Sequence, residues 1–219
     1  MKESGSRLAL KVSEIFCSLQ GESTRVGLPT IFVRLTGCPL RCVWCDTSYA
    51  FSGGQSMTLS QVLAEVNSYG TAHVCVTGGE PLAQAGCLPL LNALCDCGYA
   101  VSLETSGALD ISEVDRRVSR VVDLKAPGSG EADRNRWQNL PHLTSADELK
   151  FVLRDRADYD WARQVIERYR LIDICPILFA PVHEVLAGAE LAEWILADRL
   201  PIRFQLQLHK VLWGNMRGK

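Results

Sequence analysis

From residue 31 onward, short apolar runs alternate with segments of helical period, and most apolar runs stop at a polar, often glycine-bearing stretch. No other feature limits the fold as much. Runs at 31–35, 74–76, 101–103, 121–124, 149–153, 172–178 and 204–208 read as strands. Segments 58–68, 88–94, 159–169 and 186–196 read as helices. In the first of these, Leu59, Val62, Leu63 and Val66 share one face, and Thr58 or Ser60 is placed to cap it. Such repetition builds an α/β fold around a parallel sheet, open or curled into a partial barrel. Only about four strand–helix units are present, too few for a full eight-fold barrel. Ligands of parallel sheets bind at the carboxyl ends of the strands, and here those ends collect Cys, Thr, Gly, Glu, Ser, Lys and His.

At 219 residues the chain reads as one domain, 1–219, and 47% hydrophobic content suffices for a sizeable core. The stretch 128–146 is the longest irregular one and is expected to form a covering loop. A net charge of −2 gives no basic footprint, so no nucleic-acid partner is expected. No run approaches roughly 18 apolar residues, so no membrane span is expected. The opening Met-Lys-Glu-Ser-Gly-Ser-Arg lacks the apolar core of a signal peptide. Nine cysteines, an odd number at irregular spacings, suit a reducing cytoplasm. Of these, Cys17, Cys75, Cys87, Cys95, Cys97 and Cys175 lie mostly in apolar runs, where free cysteine acts as a small hydrophobe.

The other three crowd into one loop: Cys38, Cys42 and Cys45 in Gly-Cys-Pro-Leu-Arg-Cys-Val-Trp-Cys-Asp-Thr. Thiolates this close converge on a soft metal centre, and three of them fill three corners of a cuboidal iron–sulfur cluster. No fourth cysteine sits in the next turn, which leaves one iron open for a small molecule. A Cys-x2-Cys pair alone also suits half a zinc knuckle or a redox dithiol. Zinc wants a second pair of ligands, and the candidates are poor: Cys95 and Cys97 are one residue apart, and His73 and His142 stand alone. The spacing Cys-x3-Cys-x2-Cys, with aromatic Trp44 before the third cysteine, resembles the signature of the radical S-adenosylmethionine (SAM) superfamily. The resemblance implies a [4Fe-4S] cluster whose open iron binds the amino and carboxylate groups of SAM. It implies reductive cleavage of SAM to a 5′-deoxyadenosyl radical. It also implies a partial, shortened TIM-like barrel of about six strands.

Further candidates lie at strand ends. In Thr77-Gly78-Gly79-Glu80-Pro81 the glycines admit a ligand to the backbone and Glu80 brings a charge near an amine. The plain alternative is a strand-to-helix turn with Pro81 in the first helical position. This segment resembles the one that holds the SAM amino group in the superfamily. Glu104 is placed to pair with a cationic ligand or a lysine, and Ser106 to meet a ribose hydroxyl, against the alternative of a helix cap. In Asp123-Leu124-Lys125, Lys125 suits a carboxylate or is an exposed, snorkelling lysine. Lys150 is a second candidate for a carboxylate, set against an outward side chain by the alternation in Glu-Leu-Lys-Phe-Val-Leu. Near the N-terminus, Gln20 offers a donor and an acceptor to a heterocycle edge, and Glu22 can accept from a guanidine-like N–H pair. Arg34 can grip a carboxylate with two parallel bonds.

Five ordered motifs narrow the resemblance: Glu-Ile-Phe-Cys-Ser-Leu-Gln-Gly-Glu, Arg34 in Phe-Val-Arg-Leu-Thr-Gly-Cys, Cys45-Asp46-Thr47, Val-Thr-Gly-Gly-Glu-Pro and Gln207-Leu208-His209-Lys210. Together they resemble the 7-carboxy-7-deazaguanine synthase family over nearly the whole length. The resemblance implies conversion of 6-carboxy-5,6,7,8-tetrahydropterin to 7-carboxy-7-deazaguanine with loss of ammonia, in queuosine biosynthesis. It implies a homodimer, Mg2+ and a flavodoxin- or ferredoxin-type electron donor. By position it implies that Cys38, Cys42 and Cys45 bind the cluster, and that Leu19, Gln20, Gly21, Glu22, Arg34, Thr77 and His209 bind the pterin. SAM would fall to Trp44, Gly79, Glu80, Glu104, Ser106, Asp123, Leu124 and Lys125, with a further contact from Pro176, Ile177, Leu178 and Phe179. Thr47 would ligate Mg2+ through its hydroxyl. Two other readings stay open: an activase that makes a glycyl radical on a partner protein, and a non-enzymatic zinc or iron–sulfur module.

Overall fold

The computed structural model describes residues 9–219. Residues 1–8, with the N-terminal run read above for targeting and the first residues of the expected 1–219 domain, lie outside the described residues. The strands are β1 (Ala9–Leu19), β2 (Pro29–Leu35), β3 (Gln55–Thr58), β4 (His73–Gly78), β5 (Ala100–Thr105), β6 (Ser119–Asp123), β7 (Glu148–Leu153), β8 (Ile177–Pro181) and β9 (Arg203–Phe204). The α-helices are α1 (Leu59–Asn67), α2 (Cys87–Asp96), α3 (Arg156–Tyr169), α4 (Gly188–Asp198) and α5 (Leu208–Trp213). All strands join one sheet in the order β3-β1-β2-β4-β5-β6-β7-β8-β9. β1 runs antiparallel to β2 and β3. From β2 onward every pairing is parallel. β2, β4, β5, β6, β7 and β8 are the barrel strands expected from the sequence, and β9 adds an edge of two residues.

Helices cover the outer face. Ile31, Val33 and Leu35, Val74 and Val76, Val101 and Leu103, Leu149, Phe151 and Leu153, and Ile177 and Phe179 all enter one continuous core. Val62 and Val66 of α1, Leu90, Leu91 and Leu94 of α2, Tyr159 and Ile166 of α3, and Leu191 and Ile195 of α4 meet them there. Each such side chain contributes about 1.5–3 kcal/mol by leaving water. Phe179 stands edge-on to Phe151 at 5.5 Å and to Tyr159 at 5.8 Å, and the Tyr159 hydroxyl donates to Asp198 at 2.7 Å, tying α3 to α4. Thr58 and Gln61 form a capping box on α1. Asp155 caps α3 through the Asp158 N–H, which starts the helix three residues earlier than its apolar periodicity announces.

The turn after β1 closes the curl. Ser23 N donates to Gln205 Oε1 at 2.8 Å and Gln205 Nε2 donates to Ser23 O at 2.7 Å. Thr24 donates through N and Oγ1 to Glu148 at the start of β7. Residues 127–142 form a series of 3-10 turns, pinned by Asn139 donating to the Gly107 and Leu109 carbonyls and by Asn135 bonding the Lys125 backbone in both directions.

Two strand expectations need correction. Segment 172–178 is not one strand: Leu171–Asp173 is a 3-10 turn that follows left-handed Arg170, Ile172 is 43% exposed, and β8 begins only at Ile177. Segment 204–208 keeps only Phe204 in a strand. Gln205 turns its amide to Ser23, the ladder ends, and Leu208 opens α5 with its N–H on the Gly21 carbonyl at 2.9 Å. Among the described residues no helix is long and apolar enough to cross a membrane. Phe151→Ala should lower the unfolding free energy by about 3–5 kcal/mol, read as a lower urea midpoint at similar m-value.

Candidate active site

A strand that buries both faces must still give its inward side chains something to do. Here the inward residues near the carboxyl ends are polar, and strand register sets them side by side. Glu14 pairs with Arg34 across β1–β2, Arg34 with Thr77 across β2–β4, and Asp123 with Lys150 across β6–β7. Glu104 of β5 fills the gap, accepting from Thr77 Oγ1 at 3.2 Å and from Gln20 Nε2 at 3.3 Å. Arg34 Nε donates to Glu14 at 2.7 Å, and the Tyr49 hydroxyl donates to the same oxygen at 2.7 Å. Lys125 Nζ donates to Asp123 at 2.7 Å, and Lys150 Nζ donates to Glu22 at 2.5 Å. Glu14 and Tyr49 apart, this polar tier lines a cavity of about 390 Å³ at the barrel mouth.

The cysteine loop leaves the end of β2 and shares that cavity: Cys38, Cys42 and Cys45 are free, half-buried and on its wall. Its seat explains the two glycines. A Cβ on Gly78 would lie 2.2 Å from the Leu35 carbonyl oxygen, and one on Gly79 would lie 2.4 Å from the Gly37 oxygen and 2.8 Å from Cys38 Cβ. Gly79 N and Glu80 N donate to the Leu35 and Gly37 carbonyls at 3.2 and 2.7 Å. Among the described residues no three His, Cys, Asp or Glu side chains converge tightly enough for a single ion. A cuboidal cluster asks three thiolates to reach separate irons, and three free, half-buried cysteines on one cavity wall are the donor set it requires. Burial pushes the Cys38 and Cys42 thiols up, so loading releases protons.

A sequence profile described as the Radical SAM superfamily matches residues 32–176. A 7-carboxy-7-deazaguanine synthase from Chlorobaculum tepidum is 45% identical over 213 residues, covering 95% of this chain and 97% of the relative. Another, from Koribacter versatilis, is 41% identical over 219 residues, covering 93% and 97%. The chain belongs to the radical SAM superfamily, within the 7-carboxy-7-deazaguanine synthase family. A crystal structure of QueE from Escherichia coli, 24% identical, superposes with a TM-score of 0.77 over 93% of this chain and 96% of its own, and shares the fold. As a radical SAM protein, the chain uses a [4Fe-4S] cluster and SAM.

Most residues assigned by the family resemblance line the cavity: Leu19, Gln20, Gly21, Glu22, Arg34, Thr77 and His209 of the pterin set, Trp44, Gly79, Glu104, Ser106, Asp123 and Lys125 of the SAM set, and Thr47. Gly21 packs so tightly under His209 that a Cβ there would lie 2.1 Å from Nδ1. Glu80 is a correction. Its carboxylate is 0% exposed, lies off the cavity wall and accepts from Thr105 Oγ1, the Ser106 N–H and hydroxyl, and the Leu82 N–H. It clamps β4 to β5 and leaves no oxygen free for an amine. Leu124 turns its side chain into the apolar core. Pro176, Ile177, Leu178 and Phe179 also stay off the wall, because β8 starts at Ile177 and its carboxyl end brings Val182, His183, Glu184 and Val185 there instead.

Of the two readings open for Lys150 the structure takes the inward one: Lys150 lines the cavity while its neighbours Leu149 and Phe151 enter the core. Gln207, in the terminal Gln-Leu-His-Lys motif, donates its amide to Glu22 at 2.7 Å. The signal for Lys150 was available as a lone cation flanked by Leu and Phe in a strand buried on both faces.

Burial alone would raise the Glu22 carboxyl, but the charge and hydrogen bond of Lys150, the Gln207 amide and the His209 ring outweigh it and hold the group at about 2. Burial and the Glu22 charge raise Glu104. Lys125 and Lys150 are both raised against burial by their acidic partners, Asp123 and Glu22 foremost. Burial lowers His209. A carboxyl depressed on folding contributes stability that is full above its ordinary value of 4.5 and is lost as pH falls toward about 2. Urea midpoints measured across that window should therefore fall more steeply for the native chain than for Glu22→Gln.

Proposed function

We propose that the chain is a lyase that converts 6-carboxy-5,6,7,8-tetrahydropterin to 7-carboxy-7-deazaguanine and ammonia, the step that feeds queuosine and related 7-deazapurines. The observation that carries the reading is that one cavity is lined both by the cysteine loop and by Gln20, Glu22, Arg34 and His209. Relatives named 7-carboxy-7-deazaguanine synthase, 45% and 41% identical over nearly the full length, support it.

Cys38, Cys42 and Cys45 hold the cluster. Trp44, Gly79, Glu104, Ser106, Asp123 and Lys125 line the place for SAM, and the bare Gly79 backbone lets the cysteine loop pack beside it. When bound, the reduced cluster and SAM supply a hydrogen-atom abstraction at the pterin C6. The protein's own residues orient the substrate for it. Glu22, held as a carboxylate, accepts from the N–H pair of the pterin edge, and Gln20 offers that edge a donor and an acceptor. Arg34, positioned by Glu14, addresses the substrate carboxylate. Phe16 and Phe32, stacked at 5.0 Å, give the cavity an apolar floor that limits water.

Thr47 is the proposed side-chain ligand of Mg2+. Its hydroxyl lies on the cavity wall and donates to Asp46 at 2.7 Å, and an ion with one protein ligand keeps waters and takes substrate oxygens. A flavodoxin- or ferredoxin-type donor and a homodimeric state complete the proposal. A glycyl-radical activase would instead consume SAM and act on a partner protein.

Reconstituted protein, assayed anaerobically with SAM, reductant and the pterin, should yield 7-carboxy-7-deazaguanine by mass spectrometry with SAM recovered, and Cys42→Ala should yield none. SAM cleaved without deazaguanine would overturn the substrate and favour the activase. In the same assay Thr47→Ala should lose most of the magnesium activation; unchanged activation would remove Thr47 from the metal.

A further inference from the structure

Lys150 has no role in the reading above, yet it occupies the centre of the tier. It projects from β7 with its side chain 13% exposed, 2.5 Å from Glu22 Oε2 and 3.8 Å from Asp123 Oδ2. Glu22 Oε1 takes the Gln207 amide, and Asp123 Oδ2 takes Lys125 Nζ. A continuous chain Gln207–Glu22–Lys150–Asp123–Lys125 therefore crosses the barrel mouth, from the wall proposed for the pterin to the wall proposed for SAM.

Removing that ammonium would leave Glu22, Glu104 and Asp123 facing one another in one buried layer, with Arg34 already engaged by Glu14 and Lys125 by Asp123. Buried like charges of this kind are relieved when one carboxyl takes a proton. A protonated Glu22 is in part a donor, and it meets the N–H pair of a guanidine-like edge with the wrong polarity. Its flexible side chain also loses the contact that fixes its direction.

We propose that Lys150 is a positioning residue: it holds Glu22 as the acceptor for the N–H edge of the substrate and, through Asp123, ties that acceptor to the SAM wall. The inference deepens the function proposed above and rests on it. It assigns Lys150 no contact with the reacting atoms.

Steady-state turnover of the pterin by the reconstituted enzyme tests it, with iron content confirming that each variant is loaded. Lys150→Met should raise KM about tenfold, the loss typical of a charge-assisted hydrogen bond, and lower kcat less. Lys150→Arg, which keeps the charge, should recover most of that loss. In a Glu22→Gln background Lys150→Met should change KM by less than about threefold, because the group it positions is already gone. Unchanged KM in Lys150→Met, equal losses for Met and Arg, or losses that multiply with Glu22→Gln would each overturn the proposal while leaving the enzyme's function standing. Should Lys150→Met fail to load its cluster, the contrast of Lys150→Arg with Lys150→Gln decides on the same KM criterion. A native enzyme that does not turn over the pterin overturns the proposed function and this inference with it, and is recognised in the native control.

Discussion

A charge taken out of water must find a partner, and the barrel mouth takes several out at once. Glu22, Arg34, Glu104, Asp123 with Lys125, and Lys150 come from five separate places in the chain and line one cavity. Leaving any one unpaired there costs several kcal/mol. The pairing is possible only in the observed register, Arg34 beside Thr77 and Asp123 beside Lys150. A one-residue slip of β7 would send Lys150 into the helices and Phe151 into the cavity. The apolar outer face and the polar inner face thus specify the same register independently.

The cysteine loop is tied to this layer by backbone as well as side-chain contacts. Gly78 and Gly79 let β4 pass against the end of β2, and two N–H groups reach the Leu35 and Gly37 carbonyls. Glu80 then binds Thr105 and Ser106. The loop, the Gly-Gly-Glu-Pro turn and the end of β5 form one rigid unit, so the thiols and the polar tier keep a fixed relation. From the other side, Val43 N donates to Ser129 O at 3.0 Å, and the 3-10 turns of residues 127–142 brace the loop.

Much of this was legible because it rests on period and spacing. The strands at 31–35, 74–76, 101–103 and 149–153 and all four longer helices were found, since alternation and helical period are local signals. The ends near 172–178 and 204–208 were misplaced. There the apolar residues of a 3-10 turn and an edge mimic strand pattern, and only contacts with Ser23 and Gly21, far off in sequence, end the strand. At the site, the three cysteines and most of the cavity wall were legible through motifs. Glu80 was misjudged because a carboxylate after two glycines looks like a ligand, and only the fold reveals four donors waiting for it. For Lys150, alternation shows only that it faces away from Leu149 and Phe151; which sheet face becomes the barrel interior depends on distant strands.

The central claim is that one inward tier of the barrel holds cofactor and substrate together. A crystal structure of the reconstituted enzyme with SAM and the pterin, grown without oxygen, tests it most directly. The account predicts SAM between the cysteine loop and Asp123, and the pterin edge on Glu22 with its carboxylate toward Arg34. A pterin bound away from Glu22 and Arg34, or SAM bound away from the cysteine loop, would contradict it.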